Sequence, residues 1–332
     1  MKEWVTMNRK IVGALAASLV LAAGMTGAAQ AQGTWPDRPI RMIVPFPPGG
    51  GTDALARVVA AHLQTVLGQP VPVENRSGGS GVVGTEAIAR AAPDGYTIAM
   101  TASGPMTILP QMMPNPPYDP VRSFAHVALP SVTPLFAVVP PSSPARSLSG
   151  LVDLARQRAG QLNYCSIGVA SPSHLSAEIF LRSFNLKMEH IPHRGSAPAL
   201  TDTIAGHCDL LFDSGTSSTP QIRQGALRAL GVSAAQRLSG FPDVPTIAEQ
   251  GAPSFETSTW SAVIAPAGTP APIVERLNQE IRRLAAMPAE RERVMSQGGL
   301  PVDLSPAEFT RFLEREIESW GQVIRAGNIQ LQ

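Results

Sequence analysis

The residues with the clearest chemical potential are two glycine clusters. Residues 75–84, NRSGGSGVVG, hold Gly79, Gly81 and Gly84 in the G-x-G-x-x-G spacing of a dinucleotide-binding turn, between a strand-like VPVEN and a helix-like TEAIARAA. A dinucleotide site also needs an acidic residue about 20 positions further on to hold the ribose hydroxyls. That window falls on TASGP (101–105), which has no Asp or Glu, and Pro72 interrupts the strand before the motif. The glycines therefore read as a tight, exposed turn, and no cofactor is expected.

The second cluster, PFPPGGGTD (45–53), joins a strand-like IRMIVPF to a helical ALARVVAAHLQTVLG. Three glycines let backbone N–H groups approach a ligand closely, and the helix dipole adds partial positive charge. Such a loop accepts a carboxylate or phosphate oxygen without Lys or Arg. Pro47 and Pro48 stiffen it, and Thr52 or Asp53 suits the helix cap. An ordinary strand–helix turn has the same composition, so the loop alone does not decide.

Other chemistry is poorly supported. No Ser stands in G-x-S-x-G, so a nucleophile elbow is missing. Lys187 is the single lysine beyond residue 31, which excludes a Walker A loop. His190 and His193 (H-I-P-H) fall on opposite faces of a strand, and no Cys or carboxylate pair completes a set at ligand spacing. No metal site is expected. His174, in SPSHL, reads as a helix-start residue rather than a general base. No signature of bond-breaking chemistry remains, and the chain is not expected to be an enzyme.

These loops belong to a repeated pattern of short apolar strand, Gly/Ser/Pro loop and helix. YTIAM leads to TASGP, QLNYCSI to GVASPS and HLSAEIFLRSF, MEHIPH to RGSAP and ALTDTIAG, and CDLLFD to SGTSSTP. Such alternation predicts parallel sheets of the α/β class. Ser171, Ser173, Ser196 and Ser218 precede predicted helices at the sheet end where α/β folds bind ligands. Ser305-Pro306-Ala307-Glu308 is a capping box for a helix with Phe309, Leu313, Trp320 and Ile324 at helical spacing. The C-terminal helices read as structural. Two extended runs, 127–144 and 254–270, read as crossings between two lobes with a cleft between them.

The N-terminus predicts the compartment. Lys2, Arg9 and Lys10 precede IVGALAASLVLAAG, and Ala29-Gln30-Ala31 is an A-x-A cleavage site. Residues 1–31 read as a signal peptide cleaved after Ala31, and the protein as periplasmic. The remaining 301 residues carry 23 Lys+Arg against 24 Asp+Glu, a net charge of −1. That balance gives no footprint for nucleic acid or an anionic membrane. In an oxidising compartment Cys165 and Cys208 can pair. They sit at staggered ends of neighbouring predicted strands, which argues against the bond.

Taken in order, PIRMIVPFPPGGGTDALAR, VPVENRSGGSGVVGTEAIARAAPDGYT, PYDP, SPSHLSAE, HRGSAPALTD, PDVPTIAEQG and APAGTPAPIVERLN resemble the Bug family. These are periplasmic solute-binding proteins of tripartite tricarboxylate transporters. The resemblance runs from about Trp35 to Gly327. It implies a two-lobe Venus-flytrap fold with two interdomain crossovers, closing on a small carboxylate partly through ordered water. It places lobe 1 at 32–134 and 256–332 and lobe 2 at 135–255. The implied partners are the carboxylate and the membrane permease subunits, and the implied state is a monomer. NRSGGSGVVG is similar to the family's structural ENRPGAGG turn.

Carried residue by residue, the resemblance implies ligand contacts from Pro47, Pro48, Gly49, Gly50, Gly51, Thr52 and Asp53, and from Ser103 and Gly104. In the second lobe it implies Ser166, Gly168, Ser171, Ser173, His174, His193, Gly195, Asp213 and Ser214. The chain departs from the family pattern at several positions. His193 stands where Tyr is usual in a VPY(K/R)G run, Ala170 replaces a common Gly, Cys165 a small residue, and Ser214 a frequent Asn. His193 is a candidate donor or titratable charge for a second carboxylate, or a hydrogen-bonded wall residue. Two alternatives stay open: a sensor presenting the same ligand to a receptor, and an exported α/β enzyme. The sequence does not rank organic, amino and aromatic acids.

Overall fold

The computed structural model describes residues 35–253, 255–327 and 329–330; the expected signal peptide lies outside them. Strand β1 (Arg41–Val44) enters the interior at once, with Met42, Ile43 and Val44 fully buried. It is followed by α1 (Gly51–Leu67), β2 (Val73–Asn75), a tight 3-10 turn (Gly79–Gly81), α2 (Val82–Ala89), β3 (Thr97–Ala102), a π-turn (Gly104–Ile108) and α3 (Leu109–Met112). Strand β4 (Phe124–Val139) then runs for 16 residues into a second half. That half comprises α4 (Leu148–Gln157), β5 (Asn163–Ser166), α5 (Pro172–Ser183), β6 (Glu189–Pro192), α6 (Ser196–Ile204), β7 (Leu210–Ser214), α7 (Gly215–Arg223) and β8 (Arg228–Val232). The chain returns through β9 (Ser258–Pro266) and ends with α8 (Ala271–Ala286), α9 (Pro288–Ser296), β10 (Leu300–Pro301) and α10 (Pro306–Gly327).

The strand order is β2-β1-β3-β9-β4-β7-β5-β6, with β8 and β10 also paired to β4. Neighbours are parallel within β2-β1-β3 and within β7-β5-β6, as strands joined by helical crossovers must be. The expectation of parallel sheets fails for β4 and β9, which pair antiparallel with each other and with their neighbours. One of them carries the chain out of the first sheet and the other brings it back, so they run in opposite directions. Up to Pro134, β4 pairs with β9; from Leu135 it pairs with β7 and, from Phe136, with β8. The result is a two-lobe α/β fold hung on two crossing strands.

The apolar run of β4 follows from burial on both faces. Leu135, Ala137 and Val139 face a core with Leu151, Tyr164, Phe180 and Phe212; Phe136 and Val138 face another with Leu211 and Val232. Around the first sheet Ile43, Ala99, Trp260 and Ile264 pack with Ile88 of α2 and with Phe309 and Leu313 of α10. Each large side chain fully buried there contributes roughly 1.5–3 kcal/mol of transfer free energy. The capping box of α10 forms: Glu308 N–H donates to Ser305 Oγ at 3.3 Å, and Ser305 N–H to Glu308 Oε2 at 2.9 Å.

The expectation of two free thiols is overturned. Cys165 and Cys208 form a disulfide with their Cα atoms 5.7 Å apart. The anticipated stagger exists, since Cys165 pairs with Leu211 across the ladder. Residues 207–209, however, lie outside the ladder and bring Cys208 back within reach.

Candidate functional site

A cleft of about 810 Å³ lies between loops of the two sheets, within the range of small-ligand pockets. Its walls are the segments after the carboxyl ends of β1, β2, β3, β5, β6 and β7, where open α/β sheets place their ligands. Helices α1, α5, α6 and α7 all begin at this wall, through Gly51, Pro172, Ser196 and Gly215 or its neighbours. The first N–H groups of a helix have no intrahelical backbone acceptor; Ser171 and Ser214 cap one each in α5 and α7, and the rest lie with four positive dipole ends at this wall. Arg194, which is exposed, and Arg293, held by Glu290 and Gln297, add cationic groups.

Two crossing strands supply a hydroxyl-rich floor. Ser131, Thr133, Thr259 and Ser261 line the cleft. Thr52 Oγ1 lies 2.9 Å from Ser261 Oγ, and Ser103 Oγ lies 3.0 Å from Thr259 Oγ1. The opposing loops meet closely at glycines. A Cβ at Gly51 would stand 3.3 Å from Thr216 Cγ2, and one at Gly168 would stand 3.3 Å from Ser80 Oγ.

Of the residues singled out from sequence, Pro47, Pro48, Gly50, Gly51, Thr52, Gly104, Gly168, Ser171, His193, Gly195, Asp213 and Ser214 line the cleft. Six others support it from behind. Gly49 donates its N–H to Asp53 Oδ2 at 3.0 Å, and Asp53 also accepts from Arg57 and Asn75. Burial raises the pKa of Asp53, but Arg57, Gly49 N–H and Asn75 outweigh it and hold the carboxyl below its usual range. Gly50 is the helix N-cap and no side chain caps α1, so neither Thr52 nor Asp53 plays that part. Ser103 is fully buried against Thr259. Ser166, Ser173 and His174 lie beneath the second-lobe loop, with Ser173 Oγ donating to Phe212 O.

That loop rests on a ring stack. Tyr164, His190 and His174 lie nearly parallel, with centroid separations of 4.8 Å and 4.2 Å for the adjacent pairs. Ala170, held at φ 56°, donates its N–H to His174 Nδ1 at 3.2 Å, which requires an unprotonated Nδ1. Burial pushes both His174 and His190 down to about 4, and the neighbouring His174 adds to the shift of His190. Asp213 is buried, and burial pushes it up to about 6 despite hydrogen bonds from Ser196 and Ser217 Oγ, the latter at 2.6 Å.

Two features of the wall were missed in the sequence. The turn at 77–81 was expected to be exposed and structural; Ser77, Gly78, Gly79, Ser80 and Gly81 instead line the cleft, and Gly81 is buried. The C-terminal helices were expected to carry no chemistry, yet Arg293, Val294, Gln297 and Gly299 reach the wall. Nothing local signals either placement. His193, open in the sequence between a ligand donor and a hydrogen-bonded wall residue, lines the cleft with its Nε2 2.7 Å from Asp202 Oδ2 and its Nδ1 3.2 Å from Ile191 O. Both ring nitrogens are engaged within the protein.

Two lobes joined by crossing strands, with helix N-termini converging on the cleft between them, define a solute-binding protein of the periplasmic type. The sequence matches the family described as "Tripartite tricarboxylate transporter family receptor" (TctC) over residues 55–329. The chain belongs to that family. It is 37% identical over 327 residues to Protein BugT of Bordetella pertussis, covering 98% of this chain and 100% of the relative. It superposes with TM-score 0.86 on Rpa4515 of R. palustris with adipate, at 34% identity, covering 89% of this chain and 99% of the other. MatC from Rhodopseudomonas palustris with bound malate gives TM-score 0.82 at 31% identity, covering 87% of this chain and 100% of the other.

Proposed function

We propose that this chain is an extracytoplasmic receptor that captures a small carboxylate in the cleft and delivers it to the permease subunits of a tripartite transporter. The observation that carries the reading is the convergence of the α1, α5, α6 and α7 N-termini on one cleft. A carboxylate there takes backbone N–H and hydroxyl donors, with little need for a paired cation. Gly50, Gly51, Thr52 and Gly104, on loops stiffened by Pro47 and Pro48, hold it from one side, and Gly168, Gly195 and Ser214 from the other, with Ser171, His193 and Asp213 completing the wall. Gly49, Asp53, Ser103, Ser166, Ser173 and His174 keep those loops in place. The volume suits a ligand of the size of adipate or malate, which relatives of this fold hold.

The same reading makes the protein a periplasmic monomer released by cleavage after Ala31, with lobe boundaries at 134/135 and 255/256 and no catalytic turnover. A thermal-shift screen of the mature chain against mono-, di- and tricarboxylates and aromatic acids, with NAD(P) included, tests it. Ligand that binds only the folded state raises Tm by mass action. A rise with one carboxylate class supports the reading. A rise with NAD(P) alone contradicts it.

A further inference from the structure

The four helix N-termini at the cleft are not alike, and they divide it into two ends. No side chain caps α1 or α6, whereas Ser171 caps α5 and Ser214 caps α7. The first-turn N–H groups of α1 and α6 therefore stay available to a ligand. Gly51, at the start of α1, faces Thr216 of α7 across the cleft, so this end is polar on both sides.

At the other end Phe46, Gly81 and Pro105 come together. A Cβ on Gly81 would stand 3.1 Å from Phe46 Cζ and from Pro105 Cγ, and one on Gly104 3.7 Å from Pro172 Cδ of the second lobe. Val169, half-buried, lines the cleft beside Ala170 and Pro172. The N–H groups of this end are spent inside the protein. Gly81 and Val83 donate to Gly78 O at 3.0 and 3.3 Å, and Val82 donates to Gly79 O. On the opposite wall Ala170 donates to His174 Nδ1, Ser171 to Gly168 O, and His174 to Ser171 Oγ. Pro172 has no N–H to offer. A carboxylate set here would lose its water without gaining donors, whereas a methylene or a ring gains by the same move.

Charge in the cleft has the same asymmetry. Besides His193, the ionisable residues lining it are Arg194, Arg293 and Asp213. Arg293 is paired with Glu290, its Nε 2.8 Å from Oε2. Asp213 is 1% exposed and accepts from Ser196 and Ser217 Oγ, so it does not receive a ligand ammonium group. That leaves the exposed Arg194 as the lining cation without a carboxylate partner among the described residues. A first carboxylate has its donors at α1 and α6; a second one, at the apolar end, has none.

On the receptor reading given above, we propose that the ligand is a monocarboxylate with a bulky apolar body, of which hexanoate and benzoate are examples. Its carboxylate takes the N–H donors of α1 and α6, and its body lies against Phe46, Pro105 and Val169. The cleft, at about 810 Å³, has room for both parts.

Calorimetric titration of the mature chain with butanoate, hexanoate, benzoate, adipate and citrate tests this. Hexanoate and adipate share one six-carbon chain and differ in whether its far end is a methyl or a carboxylate. Hexanoate is expected to bind at least tenfold tighter than adipate, and benzoate at least tenfold tighter than citrate. From butanoate to hexanoate, affinity is expected to rise about fourfold per buried methylene. A smaller margin over adipate, or the reverse order, overturns the proposal and leaves the receptor reading standing. No binding of any acid contradicts both. Phe46→Ala is expected to weaken hexanoate at least fivefold more than butanoate, and an equal change for both acids overturns the proposal. Where that variant melts below the wild type, Val169→Asn reads the same ratio with the same two outcomes.

Discussion

Thr52 Oγ1 and Ser261 Oγ lie 2.9 Å apart although 209 positions separate them in sequence. One stands in the first turn of α1, the other on the returning strand β9, and both line the cleft. The bond fixes the glycine loop to the strand that joins the lobes. Thr52→Val and Ser261→Ala should each destabilise by about 1 kcal/mol. The double variant should lose less than the sum, because the partners share one interaction. A denaturant-unfolding cycle checks this; strict additivity would mean that the hydroxyls do not interact.

Gly50 has φ −81° and ψ 168°, which any residue adopts, and a Cβ there meets nothing within 4 Å. Gly50→Leu should therefore fold, losing about 1 kcal/mol through the poorer N-cap. Its side chain lies at the cleft wall beside the N–H groups of α1, so ligand affinity should fall at least tenfold. Calorimetry on the folded variant measures both effects. Unchanged affinity would remove the glycine loop from the site.

Gly215 opens α7 with no room for a side chain. A Cβ there would lie 2.1 Å from Gln297 O and 2.9 Å from Phe136 Cε2. Backbone cannot yield as a flexible side chain can, so Gly215→Ala should cost about 3 kcal/mol or more. The urea midpoint reports it. A near-neutral result would mean that α7 and the segment after α9 do not pack this way.

Acid should weaken the fold through the ring stack. His174 and His190 sit near 4 when folded and near 6.5 when unfolded. Between those values the unfolded chain binds protons that the folded chain refuses, so stability falls as pH drops from 6.5 toward 4. Asp213, near 6 when folded, acts oppositely, gaining stability as pH falls through 6 toward its unfolded value of 3.8. Raised Glu316 acts in the same sense as Asp213. The two histidine shifts together outweigh that of Asp213, with His174 alone contributing a loss on the order of 2 kcal/mol between pH 7 and 5. His174→Asn keeps an acceptor for Ala170 N–H and should flatten the profile. Urea melts at pH 7 and 5 decide; an equal loss in wild type and variant would exclude the stack.

Legibility from sequence followed the range of the interactions. The capping box at Ser305 and Glu308, the strand–loop–helix repeats and the Pro47–Gly51 loop are local patterns, and each has its expected local form. The parallel expectation failed at β4 and β9, because strand direction there is set by the route of the chain between lobes. Asp53 was rightly placed near the loop but turned away, since Arg57 and Asn75 capture its carboxylate. Ser80 and Gln297 reach the cleft only once distant elements pack. The Cys165–Cys208 bond depended on three residues leaving a ladder, which no periodicity records.

The most direct test of the central claim is calorimetric titration of the mature chain with the carboxylate that gives the largest thermal shift, repeated on Gly50→Leu. The account predicts one site per chain in the wild type, with heat of binding lost or affinity reduced at least tenfold in the folded variant. Equal binding by both proteins, or no binding of any carboxylate by the wild type, would contradict it.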